Sequence, residues 1–521
     1  MKKRLLRGAA MNVATLLDQA AKKYPDRIGV YFPGIPGAIP SRAITYKELS
    51  EWTSRFAGGL HSIGIKPGDR IAVYMPNLPH FIIAIWGAFK AGAIPTPMNP
   101  TLKRREIVHQ ITDSNAKAIF APAMMLEEIE KAAEEISSLK IFSVGPSKHR
   151  QMEELIASPP LFVEREDNDV ALQPYTSGTT GKPKGVLLTH RNLSSNIQTI
   201  IKLFEKTGHT ERLLVPVPMF HITGMTVLML APLSMGMTIY PMVKWDAEFA
   251  MQLIQEHQIT NMFSVPTLYI DLLHHPKLGQ YDLRSLKVCG SGGARMPVPV
   301  LEALQNKLGV IVYEGYGLTE TSPATHSNWA APKPKAGSIG WPIEGVECKI
   351  VDEKNQRLPI GQVGELCIRG PMVMKGYHNN PEATHKSIDS EGFFHTGDIA
   401  YVDPEGYYYI VDRVKDMINV GGVKVFPKEV EHVLYEHPAV AECAVVGIPD
   451  ERKGETVKAY IVLRPGQQPS EQLAEAIKNH CLNELAAYKH PRSIEFVQTL
   501  PKTASGKIQK YVLRGGSEVK S

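Results

Sequence analysis

Over the first four hundred residues, short apolar runs of strand length alternate with segments of helical periodicity, and this alternation narrows the fold more than any other feature. Thr45-Tyr-Lys-Glu48 has the spacing of a capping box; Leu49, Trp52, Phe56, Leu60 and Ile63 follow at helical spacing, with Gly64 placed to end the helix. Residues 69–77 then read as a strand and residues 81–92 as a buried helix. The runs 117–123, 213–218, 237–241, 261–266 and 286–290 read as further short buried strands. Strands separated by helices predict α/β layers and not an all-β sandwich.

At 521 residues the chain exceeds what one simple core fills, and a length prior of roughly 100–200 residues per domain suggests two to four. The texture changes near residue 410. Residues 403–422 read as turn, strand, polar connector and glycine turn; helices at 427–437 and from near Ser470, with strands at 443–448, 458–463 and 493–497, then form a separate small α+β unit. The boundary falls between Asp412 and Lys415.

Composition excludes several classes. Net charge is +5 with no block of like charges, so the clustered basic footprint of a nucleic-acid binder is missing. The five cysteines are scattered and never form CxxC, which argues against a disulfide framework or a zinc site and for a reducing compartment. The basic start lacks a clean apolar segment, with Asp18, Lys22 and Lys23 close behind. The longest apolar run, 226–243, is broken by two prolines and reads as a buried helix–turn–strand, not as a stable membrane span. A cytoplasmic protein is expected.

One loop carries chemistry on its face. Tyr175–Gly185 is YTSGTTGKPKG, rich in glycine, hydroxyl and lysine. A Walker loop needs GxxxxGK followed by Ser or Thr; here Thr176 stands at the first-glycine position and Pro183 follows Gly181-Lys182, so that reading fails twice. Gly178, Gly181 and Gly185 nonetheless free the backbone to turn N–H groups toward an anion, and Thr176, Ser177, Thr179, Thr180, Lys182 and Lys184 add donors. Strand-like residues on both sides suggest a hairpin-like phosphate grip.

This run resembles the phosphate-loop motif of the acyl-adenylate-forming superfamily: acyl-CoA synthetases, carrier-protein adenylation domains and luciferases. YEGYGLTETS (313–322), the block 393–431, LPKTASGKIQK (500–510) and PMFHITG (218–224) are similar to the other motifs of that family, in the same order and across nearly the whole chain. The resemblance implies a large multi-layered α/β N-terminal AMP-binding domain (1–411), a hinge (412–416), and a small mobile α+β C-terminal domain (417–521) carrying the catalytic lysine. It also implies ATP, Mg²⁺ and coenzyme A, and a carboxylate activated as an acyl-adenylate.

Residue by residue, the resemblance implies that Thr176, Ser177, Gly178, Thr179, Thr180 and Lys184 cradle the β- and γ-phosphates. Tyr316 would stack on adenine, Thr319 contact phosphate, and Glu320 hold the metal, as suits a hard carboxylate oxygen. Asp398 would accept from the ribose hydroxyls with Arg413 beside it. Lys507 would reach the reacting carboxylate and α-phosphate. His221 would border the acyl carboxylate and thiol tunnel, and 290–297, with Gly292, would line the acyl and adenine pocket. The same segment misses a dinucleotide fingerprint because position 295 is Arg.

Because Lys507 and the incoming thiol need the same carbonyl, the resembled enzymes rotate the small domain about a hinge; Lys415 stands there, and rotation would bring Asn419, Gly421 and Gly422 to the pantetheine tunnel. The implied activity is an AMP-forming acyl-CoA synthetase. No carrier domain follows residue 521, which tilts toward free CoA over a carrier-protein thiol; an oxygenase of the luciferase kind and a degenerate nucleotide-binding scaffold are the remoter readings. Residues 221–230 and the small residues 290–294 offer an apolar pocket wall without a charged anchor, so a medium- or long-chain fatty acid is the expected substrate and an aryl-propenoic acid (a 4-coumarate-like ligase) the alternative. Family members are often homodimers, and no sequence feature decides that.

Overall fold

The computed structural model describes residues 12–35, 39–176, 182–413, 416–450, 452–503 and 508–514. Val312–Gly317, Val288–Ser291, Asn261–Ser264, Arg212–Val215, Thr238–Pro241 and Ile28–Phe32 lie side by side as parallel strands. Antiparallel edges, Ala324–Ser327 with Trp341–Pro342 on one side and Arg42–Thr45 on the other, complete a nine-stranded sheet. Ligands of such sheets bind beyond the carboxyl ends of the strands, and the register sets which residues arrive there together. Phe263 lies opposite Gly290 and Gly290 opposite Tyr313, while Ser264, Ser291 and Glu314 form the next row.

A second, all-parallel sheet holds Ile94–Met98, Arg70–Tyr74, Ala116–Pro122, Lys140–Val144 and Arg150–Gln151. The helix Pro79–Lys90 beside it is buried on every side, as its unbroken apolar sequence requires. Its one charge, Lys90, is fully buried and therefore needs partners; Asp18 Oδ1 at 2.5 Å, the Ser50 carbonyl and Ser54 Oγ supply them. The expected capping box forms: Thr45 and Glu48 close the start of Tyr46–Ser62 reciprocally, an arrangement worth about 1 kcal/mol.

The long apolar run folds as read, with one refinement. Thr223–Leu230 is π-helical and passes into the short α-helix Ala231–Met235. Gly236, at φ 94°, then turns the chain into Thr238–Pro241. Among the described residues no helix is long and apolar enough to cross a membrane.

Residues 347–413 form a structure that the alternation does not announce, an antiparallel sheet of Glu347–Val351, Gly364–Arg369, Phe394–Val402 and Tyr408–Arg413. Beyond it, a separate apolar core runs from Ile418 to Cys481 beneath the strands Val440–Asp450 and Gly454–Leu463 and the helices Pro427–Glu436 and Glu471–Glu484. The chain is thus a large N-terminal mixed α/β domain followed by a smaller C-terminal α+β domain, the class expected from its sequence.

Candidate active site

The glycine–threonine loop is carried by a hairpin. Thr176 lies opposite Lys184, and Tyr175 opposite Gly185, in an antiparallel pair. The flanking strands thus pair as a hairpin, which differs from the strand–loop–helix of a Walker site. Ser177, Gly178, Thr179 and Thr180 lie outside the described residues, as do Lys415 and Lys507. Tyr175, half-buried, anchors the base of the hairpin by donating to Asp113 Oδ2 at 2.6 Å.

The strand carrying Lys184 is tied to the turn carrying Glu320 by residues 371–378. His378 N donates to the Gly185 carbonyl, Lys375 N to that of Leu187, and Met374 N to that of Glu320. Asn192 holds the same segment from the opposite side, donating to the Pro371 and Val373 carbonyls at 2.7 and 2.8 Å. The result is a contact absent from the sequence reading. The Tyr377 hydroxyl donates to Glu320 Oε1 at 2.8 Å, and the Lys184 ammonium stands 4.2 Å from the centre of the Tyr377 ring. Burial, reinforced by the Glu320 charge, drives the Tyr377 phenol above its ordinary range and keeps it a donor. Glu320 lies in the short turn Thr319–Thr321 with Thr319 half-exposed beside it. A carboxylate held through one oxygen, near the glycine–threonine hairpin, fits a hard divalent cation that retains several waters.

A second cluster forms where Val312–Gly317 meets the antiparallel sheet. Tyr316 donates to Asp398 Oδ2 at 2.5 Å, and Arg413 Nε to Oδ1 at 3.0 Å. Asp398 and Arg413 are cross-strand partners, so their meeting follows from register. The Asp398 carboxylate raises the Arg413 guanidinium above its usual value; burial, then Asp398, does the same for the Tyr316 phenol. The turn before Asp398 is fixed by Glu365, which accepts from Gly397 N at 2.9 Å and from His395 Nδ1 at 2.9 Å. Below Tyr316 lies His326, whose burial pulls its pKa down to about 3 and keeps the ring neutral.

Between these clusters a cavity opens at the carboxyl ends of the strands ending at Val215, Ser264 and Ser291. It is lined by Val217, Pro218, His221, Thr223, Phe263, Gly292 and Gly293 among others, and its free volume of about 20 Å³ suits one water. His221 and Gly292 therefore meet in one wall. The Thr223 N–H donates to His221 Nδ1 at 3.4 Å. Among the lining residues His221 is the one titratable side chain.

Asn419, Gly421 and Gly422 form an exposed turn between Ile418–Val420 and Val423–Val425, with both glycines at positive φ (62° and 90°). Its hydrogen bonds run within the C-terminal domain, from Asn419 N to Glu455 and from Gly421 N to the Lys453 carbonyl. Lys428 N donates to Asp412 Oδ2 at 2.9 Å and Lys424 pairs with Glu353 at 2.7 Å across the domains, while Arg514 pairs with Asp416 at 2.9 Å. The half-buried Lys428 also carries its charge near Asp398 and Asp412, its pKa lowered by desolvation.

Comparison with known proteins decides the family. The sequence model of the AMP-binding enzyme family matches residues 17–378, and that of the AMP-binding enzyme C-terminal domain matches residues 429–507. The chain belongs to the acyl-adenylate-forming superfamily, as an AMP-forming acid–thiol ligase of the CoA-ligase type. This ligase is 35% identical to a long-chain-fatty-acid–CoA ligase of Bacillus subtilis (strain 168), covering 95% of this chain and 92% of that one. It is equally, 35%, identical to a feruloyl-CoA synthase of an Amycolatopsis species, covering 91% and 94%. The ATP-bound crystal structure of MatB from Rhodopseudomonas palustris superimposes with a TM-score of 0.88 at 28% identity, covering 97% and 98%. The ligase binds ATP, CoA and a small carboxylic acid.

Two residues escaped the sequence reading. Tyr377 sits in MKGYHN, where nothing local marks it; only the pairing of Tyr377 with Val186 in the next strand brings it over Lys184 and Glu320. Lys428, at the second position of a helix, looks like an ordinary solvated charge until the domain contact brings it near Asp412.

Proposed function

We propose that this ligase activates an apolar carboxylic acid in two half-reactions. A carboxylate oxygen attacks the α-phosphorus of ATP, the bond to the bridging oxygen breaks, and pyrophosphate leaves, giving an acyl-adenylate. The thiolate sulfur of CoA then attacks the acyl carbon and AMP leaves with the electron pair. The first step brings an anion onto a polyanion, so fixed donors and positive charge must wait where charge develops.

The observation that carries the reading is the Tyr316–Asp398–Arg413 cluster beside a cavity walled by His221 and Gly292. The Asp398 carboxylate, held at both oxygens and buried, would accept from the two ribose hydroxyls. Thr176, Thr319 and Lys184, together with Ser177, Gly178, Thr179 and Thr180, would hold the phosphates, and Lys507 the reacting carboxylate. Glu320, oriented by Tyr377, would hold Mg²⁺, which when bound neutralises the phosphate oxygens. His221, in the cavity wall, would orient the acid. Residues 1–411 and 417–521 would move relative to one another about 412–416, with Lys415 as pivot, exchanging Lys507 for the turn Asn419, Gly421 and Gly422 at the reacting carbonyl.

The apolar lining supports an acid without a charged tail. Fatty-acyl and aryl ligases match at the same 35% identity, so relatedness does not choose between the expected fatty acid and the aryl alternative. Incubating the protein with ATP, Mg²⁺, CoA and a carboxylate panel tests the reading. AMP and acyl-CoA should form in equal amounts, and only when acid is present; carboxylate-independent ATP turnover, or none with any acid, would refute it.

A further inference from the structure

Away from the cavity, the pairing of two strands gathers three metal-ligating side chains. Cys367 in Gly364–Arg369 is the cross-strand partner of His395 in Phe394–Val402, which sets the imidazole beside the thiol. The pairing shifts register between Glu365 and Cys367, and Glu365 reaches the same imidazole. His395 Nδ1 stands 2.9 Å from Glu365 Oε2 and 3.4 Å from Cys367 Sγ. Among the described residues this is the one group of three such side chains whose ligating atoms all lie within 4.8 Å of one another.

Two electron-rich atoms therefore converge on one ring nitrogen. A neutral imidazole carries either a proton or a lone pair at Nδ1, and one proton cannot point at both the sulfur and the carboxylate. A cation in its place faces all three. Zinc–ligand bonds of about 2.0–2.3 Å set tetrahedral ligands about 3.3–3.6 Å apart. The Cys367–His395 separation fits as it stands, and the His395–Glu365 one must open by about 0.4 Å.

The surroundings suit a metal-bound imidazole. Asp389 Oδ2 lies 3.6 Å from the other ring nitrogen, His395 Nε2, where a carboxylate commonly fixes the tautomer of a ligating histidine. Asp389 is itself held by Lys349 Nζ at 2.9 Å and by the backbone N–H groups of Glu391 and Phe393. Glu365 commits Oε1 to Gly397 N, which leaves Oε2 for the ion. Cys367 is buried, while the Glu365 and His395 side chains keep 25% and 21% of their surface exposed. An ion can thus enter from solvent, and water can fill a fourth position. A thiolate and a carboxylate together cancel the charge of a divalent ion, and binding releases the thiol proton. Scattered cysteines exclude a site built on paired cysteines; this one needs a single cysteine.

We propose that Glu365, Cys367 and His395 bind a divalent transition-metal ion of the Zn²⁺ kind, at a site separate from the Mg²⁺ position proposed at Glu320. Thiolate and imidazole select such an ion over Mg²⁺. The ion staples Gly364–Arg369 to Phe394–Val402 three residues ahead of Asp398. The site stands on its own geometry and not on the ligase reading.

The test titrates the full-length, nucleotide-free protein with Co²⁺, in excess Mg²⁺ to occupy all-oxygen sites and without a thiol reductant. One equivalent should bind, with a thiolate-to-cobalt band in the near ultraviolet and the intense visible bands of tetrahedral Co²⁺. Zn²⁺, which such donors hold more tightly, should abolish both. Cys367→Ser should lose the near-ultraviolet band. Cys348→Ser, which removes a thiol 3.5 Å from His326 Nε2 in the same sheet, should keep it. Glu365→Gln retains an acceptor for Gly397 N and loses the ligating charge. It should weaken binding by at least the roughly 10- to 100-fold that a change outside the ligand shell already costs, and it decides the matter where Cys367→Ser does not fold. Absence of the thiolate band in the wild type, its survival in Cys367→Ser, its loss in Cys348→Ser, or unchanged affinity in Glu365→Gln would each overturn the proposal. The three side chains would then be only a hydrogen-bonded brace for the turn before Asp398.

Discussion

The Tyr377 hydroxyl donates to Glu320 Oε1 at 2.8 Å while the ring of the same tyrosine lies 4.2 Å from the Lys184 ammonium. One side chain therefore links a phosphate-loop lysine to a carboxylate 57 positions away from that tyrosine in sequence. In Tyr377→Phe the ring stays under Lys184 and the donor is lost, leaving Glu320 free to rotate. Adenylation, followed as acid-dependent exchange of pyrophosphate into ATP, should slow by about tenfold, the worth of one charge-assisted hydrogen bond. The Mg²⁺ concentration for half-maximal rate should rise as well. An unchanged Mg²⁺ dependence would mean that Tyr377 only packs.

Asp398 is held at both oxygens, by Tyr316 and Arg413. Asp398→Asn removes the charge that raises Arg413 and one of the acceptors proposed to receive the ribose hydroxyls. KM for ATP should increase by roughly 10- to 100-fold, as expected when a buried charged hydrogen-bond partner is lost, with a smaller change in KM for CoA. Equal effects on both substrates would point to general damage to the Phe394–Val402 strand.

How much of this could be read beforehand depends on the range of the interactions. Local signals were legible: the Thr45–Glu48 box, and the short buried strands that end in the cavity, because period and capping are written into neighbouring residues. The meeting of Asp398 with Tyr316 rested on the ordered motifs, since residues 82 apart share no local pattern. The π-helical turn at Thr223–Leu230 was read only as a buried helix, because a segment apolar on all sides has no periodicity to set its pitch. Tyr377 and Lys428 were invisible, their roles arising from strand pairing and a domain contact. The antiparallel sheet of 347–413 was missed because its strands are half-buried and mixed in polarity.

Glu314 gives a prediction in pH. Its carboxyl is 5% exposed, accepts from Met296 N at 3.0 Å through Oε1, and has an unpartnered Oε2. Burial, opposed by the Met296 bond and Arg295, raises it from 4.5 to about 7. Between those values the folded chain keeps a proton that the unfolded chain has released, so stability falls as pH rises through this window. The loss, about 3 kcal/mol at most, is complete above the folded value. Glu314→Gln keeps an acceptor for Met296 and cannot ionise. Its apparent Tm should exceed the wild type's at pH 8, by roughly 2 °C or more, and the advantage should vanish near pH 4. An advantage of the same size at both pH values would assign the effect to packing.

The last prediction separates the two half-reactions. Lys507 is proposed to stabilise charge on the carboxylate and α-phosphate, a contribution of the kind whose removal costs roughly 10²- to 10³-fold. Lys507→Ala should therefore lose pyrophosphate exchange by that factor, yet still transfer the acyl group to CoA when supplied with chemically made acyl-adenylate, because thiol attack needs that lysine withdrawn. Lys415→Pro should do the reverse, sparing exchange and impairing thioester formation, since proline fixes φ at the proposed pivot. Asp412, on the N-terminal side of that pivot, accepts from Lys428 N of the C-terminal domain, so a rotation must break this contact. If Lys507→Ala and Lys415→Pro each lost both half-reactions equally, alternation of the two domains about 412–416 would be the wrong mechanism.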